Sequence, residues 1–272
     1  NSYINRVYEL EEKQSKNRFI VKFYRPQRWS RDYIQQEHNL LQHCFNHELP
    51  VIPPTTIAGQ SLFEYNGIYF AIFPKKWGRA VTELTKDQWL EIGRLLGRFH
   101  SISATLTTIQ RPVIGPATTM KQHISTLIKQ QCIPTSYRTI FTDCTNNFIN
   151  KYQSHFDSIT PILLHGDCHL GNIIDRPNEH LFLVDFDDMV TGPPIQDLWM
   201  LLPGTVAESA QELQWFIEGY SLFNDLSEDS LQLIPMLTVM RQIHFAAWCA
   251  VQSQEPHFQH YFSQWGNTAY WN

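Results

Sequence analysis

The chain has 272 residues, 43% of them hydrophobic and 17% charged, enough for one large domain or two smaller units sharing a cleft. Aromatic residues reach 13%, with 12 glycines and 15 prolines, which excludes a disordered or low-complexity chain. Twenty-one basic against 26 acidic residues give a formal charge of −5, which argues against a nucleic-acid or anionic-membrane surface as the main partner.

The five cysteines (Cys44, Cys132, Cys144, Cys168, Cys249) are odd in number and scattered, without a C-x-x-C pair. That is neither a disulfide framework nor a zinc ribbon, and it suggests free thiols in a reducing cytoplasm. No apolar run approaches the ~20 residues of a membrane span, and no signal peptide is visible. A monomer is the default expectation.

The front of the chain reads as strands. Val7–Leu10 and Arg18–Tyr24 flank a polar stretch, Glu11 to Asn17, that suits a turn. Ser30 is placed to cap a helix to about His47, with Ile34, Leu41, Cys44 and Phe45 on its apolar stripe and Glu37 on the same stripe. Ser61–Tyr65 and Ile68–Phe73 form a second hairpin around Asn66-Gly67, stopped by Pro74. From there the pattern turns helical. Thr85-Lys86-Asp87-Gln88 fits a capping box for a helix to about His100, on which Gly93 and Gly97 imply a close helix crossing. Further helices are expected at about 118–131, 135–155, 207–223 and 229–252. The division expected is a β-rich lobe over 1–73, a connector over 74–80 and a helical lobe over 81–272.

The chemistry concentrates in two places. Ile162-Leu163-Leu164 runs into His165-Gly166-Asp167-Cys168-His169-Leu170-Gly171-Asn172, and Leu181–Val184 runs into Asp185-Phe186-Asp187-Asp188. His165, Asp167 and His169 alternate and would share one face of an extended strand, as a zinc-hydrolase site requires. The glycines favour a loop instead. Asp167 and Asn172 stand five apart, the spacing at which a kinase catalytic loop sets an acceptor-orienting Asp and a Mg²⁺-binding Asn. Asp185-Phe186 then supplies the second metal carboxylate, with Asp187 where kinases carry glycine. A loop of hydrogen-bonded turn residues is the bland alternative. The coincidence of all three features favours phosphotransfer.

That reading demands a cation for the phosphates and a carboxylate to hold it. Lys22 lies mid-strand in an apolar run, where an unpaired ammonium is costly, unless it snorkels at an edge. Glu37 is its natural partner if it faces inward and not water; Glu48 is a fallback.

Read as H-G-D-x-H-x-G-N, then V-D-F-D-D, then G-P-P-x-x-D-L-W, these residues resemble the aminoglycoside phosphotransferase/choline kinase-like superfamily. The blocks Val21–Pro26, Asn5–Tyr8 and Gln196–Leu202 resemble, within it, the stress response kinase A family. The resemblance implies an α+β, protein-kinase-like bilobal fold with a small β-rich N-lobe and a larger, mostly helical C-lobe. It implies ATP as phosphoryl donor, Mg²⁺ as cofactor and a serine/threonine on a protein as acceptor, with a small alcohol such as choline, homoserine or an aminoglycoside as the alternative. By residue it implies Asp167 as catalytic base or acceptor-orienting residue and Asp185 as a second catalytic residue; Asn172 and Asp185 on the metal; and Lys22, held by Glu37, on the phosphates. Ser2 would lie in the nucleotide-covering loop, Phe73 and Pro74 against adenine, with His165 and Asp197 supporting the catalytic loop. The chain departs from eukaryotic kinases in having no G-x-G-x-x-G near its start and no A-P-E. A nucleotide-binding scaffold without activity is a third reading, opposed by the presence together of Lys22, Asp167, Asn172 and Asp185.

Overall fold

The computed structural model describes residues 4–106, 109–177, 179–256 and 258–271. Ser2 lies outside the described residues. In chain order the elements are β1 (Arg6–Glu11), β2 (Arg18–Phe23), α1 (Arg31–Asn46), β3 (Phe63–Tyr65), β4 (Ile68–Pro74), β5 (Arg79–Ala80) and α2 (Lys86–Ser103). A π-helical turn (Pro116–Met120) leads into α3 (Lys121–Lys129) and α4 (Thr135–Asp157). β6 (Ile162–Leu164), β7 (Ile173–Asp175), β8 (Leu181–Leu183) and β9 (Val190–Gly192) follow, then α5 (Gln196–Trp199), α6 (Ala210–Tyr220), α7 (Glu228–Gln232), α8 (Ile234–Gln252), α9 (Phe258–Tyr261) and α10 (Thr268–Trp271).

Two compact units share these elements. One comprises Asn1–Arg111, Leu163–Met189 and Asp197–Leu226; the other comprises Pro112–Ile162, Val190–Gln196 and Ser227–Asn272. Every residue of the candidate site described below belongs to the first.

Within the first unit, four antiparallel strands run in the order β1-β2-β4-β3. The β3–β4 turn is the expected one: Asn66 and Gly67 sit at φ 49° and 76°, the two left-handed positions of a hairpin turn that matches strand twist. Lys22 pairs with Val7 on one side and Ala71 on the other. β2 is therefore an inner strand, and Lys22 does not snorkel at an edge. A second sheet, β5-β7-β8, sets Ile173 opposite Leu183, which brings the ends of the two chemistry-bearing segments side by side.

Ser30 caps α1 by accepting the Tyr33 N–H at 3.2 Å. The helix buries Ile34, Glu37, His38, Leu40, Leu41 and Cys44. Phe45 is 52% exposed, off the stripe where the sequence had set it; the buried arc runs instead through His38, which bonds Tyr24 and Ser61. α2 begins at the expected Thr85–Gln88 capping box. Its Gly93 and Gly97 meet α6 closely: a Cβ at Gly93 would stand 2.3 Å from the Phe216 carbonyl.

In the second unit α3 packs on α8, around Leu127, Ile133, Ala246, Ala247 and Ala250. The single helix expected over 229–252 is two, α7 and α8, meeting at Leu233. Pro235 is the reason. It has no N–H to bond back to the preceding turn, so it starts a helix and cannot sit inside one. Among the described residues no helix is long and apolar enough to cross a membrane.

Candidate active site

Lys22 reaches from β2 into a cluster of carboxylates. Its ammonium hydrogen-bonds Asp187 and, at 2.8 Å, Asp185; Glu37 stands at 3.9 Å. Burial alone would lower the Lys22 pKa. Asp187 first, then Glu37 and Asp185, outweigh it and hold the ammonium well above its ordinary range. Glu37 is 2% exposed and so is not a solvated helix residue. Burial, with Asp187 and Asp185 close by, pushes its carboxyl well up against the pull of Lys22. Glu48 is exposed beyond the end of α1 and takes no part.

Asp185 closes β8 in the left-handed region, at φ 63° and ψ 66°, a conformation that costs a non-glycine residue energy and is characteristic of functional sites. Its side chain is 48% exposed. The following two acids are differently placed. Asp187 is 3% exposed and is also bonded by Asn5 Nδ2, with Arg28 Nη1 at 3.5 Å. Burial opposes its ionisation, but Lys22, Arg28 and Asn5 together hold its pKa below the usual value. Asp188 takes Arg28 Nη2 on both oxygens, at 2.6 and 2.8 Å.

The loop that carries Asp167 follows β6. Asn172 donates Nδ2 to the Asp167 carbonyl at 2.9 Å, and its own carbonyl receives the Val184 N–H at 3.0 Å. The Asn172 backbone is thereby tied to Val184, the residue before Asp185, and Oδ1 is the oxygen its side chain could offer a metal. Asp197, fully buried, accepts the His165 and Gly166 N–H groups, both at 2.8 Å, and His100 Nε2 at 3.1 Å. The other nitrogen of His100 bonds Tyr220 at 2.8 Å, whose phenol burial pushes up. His165 donates Nε2–H to the Val184 carbonyl at 2.9 Å and receives the Asp167 N–H on Nδ1 at 3.3 Å. Both ring nitrogens are thus engaged in backbone bonds, which removes it from a zinc set. His169 points Nε2 at Asp167 Oδ2 from 3.5 Å and accepts the Gly171 N–H on Nδ1 at 3.0 Å.

A slot of about 270 Å³ adjoins these groups, lined by apolar Val7, Ile20, Leu41, Phe73 and Leu183 and by charged Lys22, Glu37, Lys76 and Asp185. That combination of apolar walls and charged groups suits a heterocycle carrying a charged chain. Asn172 and Asp185 offer hard oxygen donors, and among the described residues no group of three or more His, Cys, Asp or Glu side chains is arranged to hold a metal ion by itself. Two protein oxygens, with the rest of the shell from water and phosphate, is how proteins hold Mg²⁺, so these residues fit that ion.

The structure thus brings Lys22, Glu37, Asp167, Asn172, Asp185, His165 and Asp197 into one unit, with Phe73 on the slot wall. Sequence reasoning missed Asn5, Arg28, His100 and Tyr220. The one signal for His100 was a polar residue on the apolar face of α2; Asn5 and Arg28 gave none.

Fold and site are those of a kinase-like phosphotransferase. The family model described as "Phosphotransferase enzyme family" matches residues 1–231. Stress response kinase A of Escherichia coli (strain K12) is 37% identical over 272 residues, all of this chain and 82% of that protein. A serine/threonine protein kinase, RdoA, of Salmonella typhimurium is 35% identical over the same spans. The chain therefore belongs to the phosphotransferase enzyme family and, within it, to the stress response kinase A family. Among solved structures, an amicoumacin kinase in complex with AMP-PNP and Ca²⁺ superposes with a TM-score of 0.77 at 18% identity, over 98% of this chain and 85% of that one. A spectinomycin phosphotransferase gives 0.69 at 15%, over 97% and 86%. At such identities these two speak for the fold alone.

Proposed function

We propose that the protein transfers the γ-phosphoryl group of ATP, with Mg²⁺, to the hydroxyl of a serine or threonine in a protein, as part of a stress response. The observation that supports the chemistry is the bond from the Val184 N–H, one residue before Asp185, to the Asn172 carbonyl, with Lys22 bonded to Asp185 and Asn172 Nδ2 bonded to the Asp167 carbonyl. Asp167 accepts the proton of the attacking hydroxyl and orients its oxygen; Asn172 and Asp185 hold the metal. Lys22, backed by Glu37, binds phosphate oxygens, and Phe73 and Pro74 flank adenine. The metal supplies neutralisation of phosphoryl charge. His165 and Asp197 fix the loop so that Asp167 needs no rearrangement, and catalysis is positioning plus electrostatics. The acceptor class is supported by the name and full-length similarity of the Salmonella relative. The five free thiols fit a reducing, cytoplasmic compartment.

The test offers γ-labelled ATP and Mg²⁺ together with a generic protein substrate and a panel of small alcohols. Label on protein serine or threonine, lost in Asp167→Ala, is the expected result. Label on a small alcohol would reassign the acceptor. No transfer to any acceptor, with ATP still bound, would mark a scaffold.

A further inference from the structure

The reading of Lys22 as the phosphate-binding cation leaves open what aims it. We propose that the aiming carboxylate is Asp187, at the position where kinases carry glycine, and that Asn5 and Arg28 hold Asp187 in place. Glu37, the partner that the strand-to-helix pattern implies, is secondary.

Three observations carry this. First, contact: Lys22 Nζ hydrogen-bonds Asp187, while Glu37 stands off at 3.9 Å. Second, fixation: one Asp187 oxygen takes Lys22, and the other takes Asn5 Nδ2 and faces Arg28 Nη1 at 3.5 Å. Asn5 is itself set, because its Oδ1 receives the Arg25 N–H at 3.1 Å. Arg28 is set by its two bonds to Asp188. The carboxylate of Asp187 is thereby locked to the chain just before β1, to the exit of β2 and to the turn after β8. Third, contrast: the Asp185 side chain is 48% exposed and that of Asp187 is 3% exposed. Among the described residues Lys22 is the hydrogen-bond partner of Asp185. Asp185 can exchange Lys22 for another cation without leaving a buried group unpaired. Asp187 is buried, and losing Lys22 would leave its Oδ1 without its charged donor, with Asn5 and Arg28 on the other oxygen. Both oxygens of Asp187 already face donors from the protein.

Asp187 is thus a positioning residue, and its removal differs from removal of a metal ligand. The experiment measures ADP affinity in EDTA, ADP affinity with Mg²⁺, and the Mg²⁺ concentration for half-maximal turnover. The variants are Asp187→Asn, Glu37→Gln, Lys22→Met and the Lys22→Met/Asp187→Asn double substitution. We expect Asp187→Asn to weaken metal-free ADP binding on the order of tenfold to a hundredfold, the range of a lost charged hydrogen bond. Glu37→Gln should weaken it less, the double variant should be no worse than Lys22→Met, and the Mg²⁺ requirement should stay put. Asn5→Ala and Arg28→Ala should reproduce the loss in smaller degree, and they carry the test if Asp187→Asn does not fold. A raised Mg²⁺ requirement with intact metal-free binding would overturn the proposal in favour of a metal ligand. So would effects of Lys22→Met and Asp187→Asn that multiply, or a larger loss in Glu37→Gln. If Lys22→Met itself leaves ADP binding unchanged, the reading of Lys22 fails, and the proposal with it.

Discussion

Replacing Asp197 by Asn changes one atom in a fully buried group and should be costly. The carboxylate accepts three donors at 2.8, 2.8 and 3.1 Å. An amide keeps one acceptor oxygen and turns an NH₂ toward at least one of those N–H groups. One charge-assisted bond is lost and one buried donor is left facing another, about 2–4 kcal/mol together. For a chain of this size that lowers Tm by about 5–10 °C. The damage should concentrate in turnover. The donors released are the backbone of His165 and Gly166, immediately before Asp167, whereas the proposed nucleotide contact is at Lys22. Thermal unfolding followed by circular dichroism, steady-state kcat and ADP titration read the three quantities. A variant that melts within about 1 °C of the parent, against the 2–4 kcal/mol above, or that loses ADP affinity while keeping kcat, would refute the bracing role.

A Cβ at Gly171 would stand 2.8 Å from Cε1 and 2.9 Å from Nδ1 of His169. Gly171→Ala should therefore swing that half-exposed ring away from Asp167 and lower kcat by about the same factor as His169→Ala; a fully active Gly171→Ala enzyme would show that the ring does not matter. Stability should also fall in mild acid. Burial lowers His38 from 6.5 to about 4, and likewise His123, which stacks on His244. Between these values the unfolded chain binds protons that the folded one refuses, so stability is complete above pH 6.5 and is lost as pH falls toward 4, by about 3 kcal/mol for each histidine. Melting curves at pH 7.5 and 5 should differ, and His38→Gln should remove about half of the difference, the share of one of the two histidines; an unchanged Tm across that interval would contradict the assignment. Asp185→Asn should cut turnover and raise the Mg²⁺ needed for half-maximal rate, and a normal metal response would remove Asp185 from the metal site.

Much of this was legible because it is local. The Asn66-Gly67 turn and the Thr85–Gln88 box are decided within four residues by backbone geometry and a side-chain bond. Asp167 and Asn172 lie on one loop, so spacing alone conveyed their relation, and Lys22 and Glu37 were visible as charges on apolar faces that need each other. The helix break at Leu233 was also present in the sequence, in Pro235, and was overridden by the apolar periodicity around it. The remainder depends on distant pairings between common residue types. Asn5 meets Asp187 across 182 positions, Arg28 meets Asp188 across 160 and His100 meets Tyr220 across 120. No local pattern specifies such partners. Only the folded chain could show that Asp187, read from the sequence as the stand-in for a glycine, takes the lysine that Glu37 was expected to hold.

The most direct test of the central claim separates chemistry from binding at Asp167. Asp167→Ala, with its parent as control, is assayed for transfer from γ-labelled ATP and for ADP affinity by calorimetry. The account predicts turnover reduced on the order of a hundredfold or more, in the range of general acid–base contributions, with ADP affinity within about twofold of the parent, since Lys22 and the slot are untouched. Turnover that survives the substitution would contradict the assignment of Asp167, and with it the phosphotransfer mechanism built on this loop.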